Sequence, residues 1–183
     1  MTVAILVGNP KPLSRTFRAA ERVAERLTGS PPDLAIDLAD FGPALLDWKD
    51  PVVAQAVADV QAVDLLVVAS PTYKATYTGL LKLFLDRFAA GSLSRVTAVA
   101  LMLGGDWRHS LAPEAFLKPV LAELGASSPT RGLFLLDAEA ETDWADSAAL
   151  DAWLELARAQ LPPALLAAGD LAGATLTSHL SRR

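Results

Sequence analysis

The stretch that decides the fold is VAILVGNPKPLSRT, residues 3–16. Its first half, Val3–Val7, is a short apolar run rich in β-branched residues, and Gly8 closes it. This pattern is typical of a buried strand that leaves into a loop. Ser14 then stands where a side chain can cap a helix. Apolar residues follow at helical spacing and predict an amphipathic helix that ends near Gly29: Phe17, Ala20, Ala24 and Leu27.

The same alternation of strand and helix continues along the chain. Further strands are predicted at Leu34–Leu38, Leu65–Ala69, Val96–Leu103 and Leu133–Leu136, further helices at Val52–Ala62, Gly79–Ala90, Pro113 to about Leu124 and Asp146–Gln160, and a loop at Asp40–Pro51. Each crossover is long enough to hold a helix, so the sheet should be parallel with helices on both faces. The predicted fold is an α/β, flavodoxin-like three-layer sandwich with a five-stranded parallel sheet in the order 2-1-3-4-5.

Chain length predicts a single domain over residues 1–183. After Gln160 the periodic pattern fades, because prolines and glycines interrupt an otherwise apolar stretch. We therefore expect residues 161–183 to form a poorly defined C-terminal tail that packs on the domain or on a partner subunit.

Composition excludes several classes of function. Sixteen Lys and Arg against 21 Asp and Glu leave a net charge of −5, which argues against general nucleic-acid binding. Cysteine is absent and only His109 and His179 are present, so neither a thiolate nucleophile nor a conventional metal site is expected. Redox chemistry would therefore need an organic cofactor. The apolar runs are too short to cross a bilayer and the first residues lack a basic region, so a cytoplasmic location is expected.

Function should lie in three loops, because ligands of such sheets bind beyond the carboxyl ends of the strands. The first loop, GNPKPLSRT at 8–16, brings hydroxyls and cations to a helix N-terminus, where an anion is favoured. An ordinary helix cap with exposed basic residues is the alternative. The second loop, SPTYKATYTG at 70–79, holds both tyrosines and could support a planar ligand. The third, GGDWRHS at 104–110, offers paired glycines that let a backbone approach a ligand.

Two side chains of the third loop, His109 and Trp107, can each be interpreted in two ways. His109 could act as an acid or base, but no nucleophile partner is evident and an exposed or capping histidine is the alternative. Trp107 could cover the ligand or lie in a subunit interface. Two other classes of α/β protein are excluded because their motifs are absent. The sequence has no GxSxG elbow, which α/β-hydrolases need, and its strand ends lack the aspartates of phosphoacceptor receiver domains.

Taken together, four motifs resemble the NAD(P)H-dependent FMN reductase family, and within it the flavin reductases of sulfonate monooxygenase systems. Those typically show GSPRxxSRS, PVYKAxYSGxLK, GG and LKPVL. The matching stretches here are GNPKPLSRT at 8–16, PTYKATYTGLLK at 71–82, GG at 104–105 and LKPVL at 117–121. Each motif is weak alone, but four in register are fairly specific. The resemblance covers roughly residues 1–125.

The resemblance implies a role for each matching position. In the family the first loop binds the FMN phosphate, the second lies along the isoalloxazine, and the paired glycines lie near the ring and its nicotinamide-facing side. The cofactor-binding residues so implied are Asn9, Lys11, Ser14, Arg15 and Thr16 for the phosphate, Pro71, Thr72, Tyr73 and Lys74 for the ring, and Gly104 and Gly105 at the turn.

Two departures from the family pattern matter. Asn9 and Lys11 replace the more usual Ser and Arg, which alters anion binding without abolishing it. Sulfonate-type reductases also often carry an inserted Tyr or His three residues before LKPVL, where this chain has Glu114 or Ala115, with Phe116 adjacent. That residue is associated with flavin exchange and oligomer behaviour. FMN as a passing substrate and FMN as a tightly held group therefore both stay open.

The implied activity is that of an NAD(P)H:FMN oxidoreductase, with FMN and either NADPH or NADH as cofactors. The nicotinamide would stack on the exposed flavin face and pass a hydride to N5, so no catalytic side chain and no metal is assigned. Reduced flavin could then be supplied to a monooxygenase partner. The alternatives are an FMN-bound quinone, azo-compound or metal-oxyanion reductase, or a non-enzymatic flavodoxin-like electron carrier.

The helix predicted at Gly79–Ala90 is apolar on most faces. Such a helix is covered either within its own domain or by another subunit. Related reductases pack through this helix, so a flavoprotein homodimer or homotetramer is expected.

Overall fold

In the computed structural model, which describes residues 1–166, five parallel strands form one sheet in the order β2-β1-β3-β4-β5, as the sequence predicts. The strands are β1 (Val3–Val7), β2 (Leu34–Asp37), β3 (Leu65–Pro71), β4 (Thr97–Gly104) and β5 (Leu133–Leu136). The α-helices are α1 (Arg15–Thr28), α2 (Pro51–Gln61), α3 (Gly79–Leu85), α4 (Lys118–Glu123) and α5 (Ala148–Gln160). This confirms the predicted three-layer flavodoxin-like fold.

Alternate residues of each strand build two separate cores on the two faces of the sheet. In β1, Ile5 packs with α1 and α5, whereas Leu6 packs with α2, α3 and α4. Every residue of β1 is buried, as expected of a parallel strand covered on both faces. The helical layers therefore leave the carboxyl ends of β1, β3 and β4 to open together into one set of loops.

Helix α1 is fixed at both ends by the residues that the sequence singles out. The Ser14 hydroxyl accepts a hydrogen bond from Phe17 N at 3.2 Å and caps the N-terminus. Gly29 adopts the left-handed conformation, with φ of 76°, and its N–H donates to Glu25 O at 2.7 Å. The first loop must consequently end at a defined point, directly in front of the free N–H groups of α1.

The structure has 3-10 turns at Leu38–Leu46, where the sequence predicts the end of a strand at Leu38 and a loop from Asp40 to Pro51. The Asp37 carboxylate caps these turns by accepting from Ala39 N, and they continue past Gly42, whose φ is 52°. Gly42 and Pro43 interrupt this segment and hide its helical character in the sequence. The consequence is a buried anchor, Leu38 and Leu45, beside β2.

The fourth predicted helix is also different, because it begins as a π-helical turn at Pro113–Leu117 and becomes α-helical only at Lys118. The Lys118 N–H donates to Pro113 O, five residues back. Pro119 lacks an N–H and its ring would crowd the carbonyl of Ala115, and the wider turn relieves that conflict.

Two boundaries near the loops differ from the predictions. Strand β3 extends through Pro71 because it pairs there with Leu103, so the second loop begins at Thr72. Helix α3 ends at Leu85, and the residues after it form tighter turns, in which Arg87 N donates to Phe84 O at 3.1 Å. Most of the apolar side chains of the α3 region are buried within their own domain; Leu83 remains exposed.

The beginning of the predicted tail packs on the domain. Residues Pro163–Leu165 form a 3-10 turn, and Leu161 and Leu165 are buried in the core beside α5. The rest of the tail prediction lies outside the described residues. Across residues 1–166, no helix is both long enough and apolar enough to cross a membrane.

Candidate functional site

The first loop places hydroxyl groups at the N-terminus of α1. The side chains of Ser14 and Thr16 are almost fully buried. Asn9 Nδ2 donates to Thr16 Oγ1 at 3.0 Å, and Asn9 Oδ1 accepts from Lys11 N at 2.9 Å. Both hydroxyls accept a bond from the protein and retain a proton to donate. The arrangement is therefore a set of donors held in front of a helix N-terminus, where the helix dipole favours negative charge.

The buried carboxylate of Asp37 hydrogen-bonds the first loop. Leu13 adopts a positive φ of 47°, unusual for a residue other than glycine, and its N–H donates to Asp37 Oδ2 at 2.9 Å. Burial raises the pKa of Asp37, and the hydrogen bonds from Leu13 and Ala39 oppose that rise. Asp37, at the end of β2, thus holds Leu13 in the strained conformation that positions Ser14 in the loop after β1.

Basic side chains line the outer side of the same loop. Arg15 and Arg18 lie on the first turn of α1, and Arg15 Nε is 3.9 Å from Asp137 Oδ1. This exposed pair is loosely held, so Arg15 can turn toward an anion at little cost. A cavity of about 290 Å³ opens here, lined by Asn9, Lys11, Leu13, Ser14, Arg15, Thr16, Arg18, Pro71, Tyr73 and Asp137.

The second loop is a short hairpin attached to the first loop. Tyr73 and Thr76 pair as an antiparallel bridge, with Lys74 and Ala75 at positive φ between them. Thr78 Oγ1 donates to Gly8 O at 2.5 Å and caps α3 by accepting from Leu81 N. These bonds hold the hairpin beside the cavity.

Close packing explains the glycine at the end of β1. A Cβ on Gly8 would lie only 2.4 Å from the Leu81 Cβ of α3. Only glycine therefore lets β1 and α3 approach this closely. This contact and the hydrogen bond from Thr78 to Gly8 O connect the first loop to the second.

The paired glycines lie at the end of β4. A Cβ on Gly104 would lie 2.8 Å from Phe134 Cζ and 3.4 Å from Thr72 Oγ1, whereas one on Gly105 would meet nothing within 4 Å. Thr72 N donates to Leu103 O at 2.7 Å, so the second and third loops begin side by side. Gly105 consequently presents open backbone at this edge of the sheet.

The structure thus places the predicted residues in three groups. Seven of them line the cavity: Asn9, Lys11, Ser14, Arg15, Thr16, Pro71 and Tyr73. Thr72, Gly104 and Gly105 adjoin one another at the ends of β3 and β4. Lys74 lies at the exposed hairpin tip and does not line the cavity. Their role in cofactor binding stays a prediction.

Sequence reasoning missed five residues that shape the cleft: Leu13, Arg18, Asp37, Thr78 and Asp137. Thr78 could have been found, because a Thr directly before a helical apolar run is a typical cap. The other four carry no local signal. Asp37 and Asp137, in particular, lie far from the first loop in sequence and reach it only through the fold.

Trp107 and Arg108 of the third loop do not line the cavity in front of α1. The Trp107 ring packs against Phe134, with centroids 5.7 Å apart, and lines a second cavity together with Leu111 and Leu156. Arg108 hydrogen-bonds Asp106 and lowers the pKa of that exposed carboxyl. Across residues 1–166, no group of three or more His, Asp or Glu is arranged to hold a metal ion.

Comparison with known proteins identifies the family. Residues 1–141 match the family model described as NADPH-dependent FMN reductase. The FMN reductase (NADPH) of Escherichia coli strain K12 is 34% identical over 145 residues, covering 76% of this chain and 75% of the relative. The NADH-dependent FMN reductase SfnE of Pseudomonas putida is 31% identical over 170 residues, covering 88% and 90%. The apo form of the NADH:FMN oxidoreductase EMOB superposes with a TM-score of 0.68 and 29% identity, over 84% of this chain and 88% of that one. The chain therefore belongs to the NADPH-dependent FMN reductase family.

Proposed function

We propose that this protein is an NAD(P)H-dependent FMN reductase, which passes a hydride from a nicotinamide to FMN. The observation that carries the proposal is the cavity in front of α1, where buried hydroxyls, free helix N–H groups and basic side chains converge beside Pro71 and Tyr73. Family membership supplies the reaction, and this cavity supplies a place for the cofactor.

The donor set fits the phosphate end of FMN. Phosphate oxygens accept hydrogen bonds, and the hydroxyls of Ser14 and Thr16 have protons to donate at the start of a 14-residue helix. Lys11 and Arg15 can neutralise the dianionic charge. One carboxylate, Asp137, also borders the cavity, but it already faces Arg15 and so opposes the phosphate only weakly.

The adjoining loops fit a planar ring. Tyr73 offers a half-exposed aromatic face, and Gly105 leaves the backbone open at the end of β4. Bound FMN supplies the ring that accepts the hydride. The chain's own residues orient that ring and limit the approach of the nicotinamide to one side, which lowers the barrier by fixing the two reactants in position. No side chain needs to act as a base.

The donor nucleotide and the final acceptor belong to the proposal as well. We expect NADPH or NADH to serve, since relatives named for each nucleotide match this chain. A monooxygenase is the proposed recipient of the reduced flavin. The cytoplasmic location expected from the sequence stays a prediction.

A homodimer or homotetramer is part of the same proposal. A groove of about 360 Å³ lies between α3 and α4; its larger apolar lining residues are Leu85, Phe88, Pro119, Val120 and Leu124, and Glu123 also lines it. Lys82 and Asp86 form an ion pair at its side. A second subunit would cover this groove and the exposed Leu83, and analytical ultracentrifugation tests the state directly.

Anaerobic stopped-flow mixing tests the activity. Protein loaded with FMN is mixed separately with NADPH and with NADH, and flavin absorbance near its visible maximum is followed. We expect prompt bleaching with at least one nucleotide. Bound flavin that bleaches with neither nucleotide would instead favour an electron carrier. Gel filtration of the loaded protein separates the remaining alternatives: a yellow fraction indicates a held flavin, and a colourless one indicates flavin as substrate.

A further inference from the structure

The first loop contains a strained residue, Leu13, directly before the serine that caps α1. Its φ of 47° is a left-handed conformation, which is disfavoured for any residue with a Cβ. The Leu13 side chain is 75% exposed, so packing contributes little to holding this conformation. The backbone of the loop must therefore be held by something else.

Asp37 provides that hold through the backbone N–H of Leu13. The N–H donates to Asp37 Oδ2 at 2.9 Å, and Asp37 Oδ1 accepts from Ala39 N at 3.3 Å. Within residues 1–166, no other hydrogen bond reaches residues 10–13 from outside the first loop. The strained part of the loop is thus tied to the end of β2 by this one carboxylate.

A carboxylate is an unfavourable choice at this place on charge alone. Asp37 is only 5% exposed, and its negative charge opposes the dianion that the adjoining cleft is proposed to bind. Asparagine has the same shape but a single carbonyl oxygen, whereas the N–H groups of Leu13 and Ala39 meet different oxygens. Only the carboxylate accepts from both, which accounts for its presence despite its charge.

We propose that Asp37 is a positioning residue for the phosphate of FMN, because it holds Leu13 in the conformation that presents Ser14 and the N-terminus of α1 to the ligand. This inference rests on the proposed function. Asp37 does not itself line the cleft. Without its carboxylate, Leu13 relaxes toward negative φ, and only the molecules that keep the strained loop remain competent to bind the phosphate. Riboflavin, which has no phosphate, does not depend on that fraction.

A double-mutant cycle between Asp37 and Leu13 tests the proposal. Affinity for FMN and for riboflavin is measured by quenching of flavin fluorescence, for wild type, Asp37→Ala, Leu13→Gly and the double variant. Asp37→Ala should weaken FMN by about five- to thirtyfold, the cost of one left-handed residue, and riboflavin by less than about twofold. Glycine adopts positive φ without steric cost. In the Leu13→Gly background, Asp37→Ala should therefore leave FMN affinity unchanged or raise it, since a repelling charge is lost.

Two further variants separate positioning from stability. Asp50 also accepts from two backbone N–H groups, those of Val52 and Val53, but lies outside the cleft, so Asp50→Ala should leave both affinities at the wild-type value. Leu13→Val changes an exposed residue and keeps the test decisive even where Asp37→Ala does not fold. A β-branched residue resists positive φ, so Leu13→Val should weaken FMN by at least about threefold and leave riboflavin unchanged.

The outcomes distinguish this proposal from the proposed function. An equal loss of FMN affinity on Asp37→Ala in both backgrounds would overturn the proposal, because Asp37 would then act independently of Leu13. Equal losses for FMN and riboflavin, or equal FMN affinity of Leu13→Val and Leu13→Gly, would also overturn it. Wild-type protein that binds neither flavin would overturn the proposed function together with it.

Discussion

Replacing Ser14 with alanine removes two interactions at once. The hydroxyl caps α1 by accepting from Phe17 N at 3.2 Å, and in the proposed function it donates its proton to the FMN phosphate. Loss of a serine cap lowers the free energy of unfolding by about 1 kcal/mol. Loss of one hydrogen bond to a charged group costs about 1.5–3 kcal/mol of binding free energy, which corresponds to a roughly tenfold to 150-fold weaker affinity for FMN.

A matched control separates the two effects. Ser147 caps α5 in the same way, accepting from Leu150 N at 3.3 Å, and it is equally buried but does not line the cleft. Ser147→Ala should therefore lose about the same stability as Ser14→Ala. Its affinity for FMN should stay at the wild-type value.

Fluorescence titration with FMN and with riboflavin checks the reasoning. Ser14→Ala should weaken FMN strongly and riboflavin little, because riboflavin lacks the phosphate that the hydroxyl is proposed to bind. Equal affinity of wild type and Ser14→Ala for FMN would refute the placement of the phosphate. An equal loss for both flavins would show that the variant disturbs the whole cleft rather than one contact.

Two further predictions concern the frame around the cleft. Gly8→Ala places a methyl group 2.4 Å from the Leu81 Cβ and should lower the free energy of unfolding by about 1–3 kcal/mol in urea titration, whereas Gly79→Ala, with nothing within 4 Å, should not. Burial alone would raise the pKa of Glu114, but hydrogen bonds from Lys118 and a backbone N–H hold it below its ordinary value. The carboxylate therefore stabilises the fold above about pH 4.5, and this contribution is lost as the pH falls through the lowered pKa. The destabilisation by Glu114→Gln, at most about 1 kcal/mol for this partly exposed pair, should be largest at neutral pH and shrink as the pH falls through the lowered pKa; a loss that does not change with pH would contradict it.

The sheet could be predicted because its signals are local. The strands are short apolar runs, three of them closed by Gly8, by Ser70-Pro71 and by Gly104-Gly105, and each intervening segment is long enough for a helix. The parallel direction of the strands follows from the length of the crossovers rather than from any single residue. The boundaries of α3 and of the fourth helix could not be predicted, because they depend on contacts and backbone conflicts such as that between Pro119 and the preceding turn.

The site could be predicted in part for the same reason. Hydroxyls and cations of the first loop are adjacent in sequence, and the capping preference of Ser14 is a local property. Asp37 carries no such signal, since its role is to accept from Leu13 N across 24 positions.

A crystal structure of the protein with FMN tests the central claim most directly. The phosphate should lie within hydrogen-bond distance of the Ser14 and Thr16 hydroxyls, at the start of α1. The isoalloxazine should lie along residues 71–74 and beside Gly104 and Gly105. A phosphate bound elsewhere, or a cleft filled by the protein's own side chains at saturating FMN, would contradict the account.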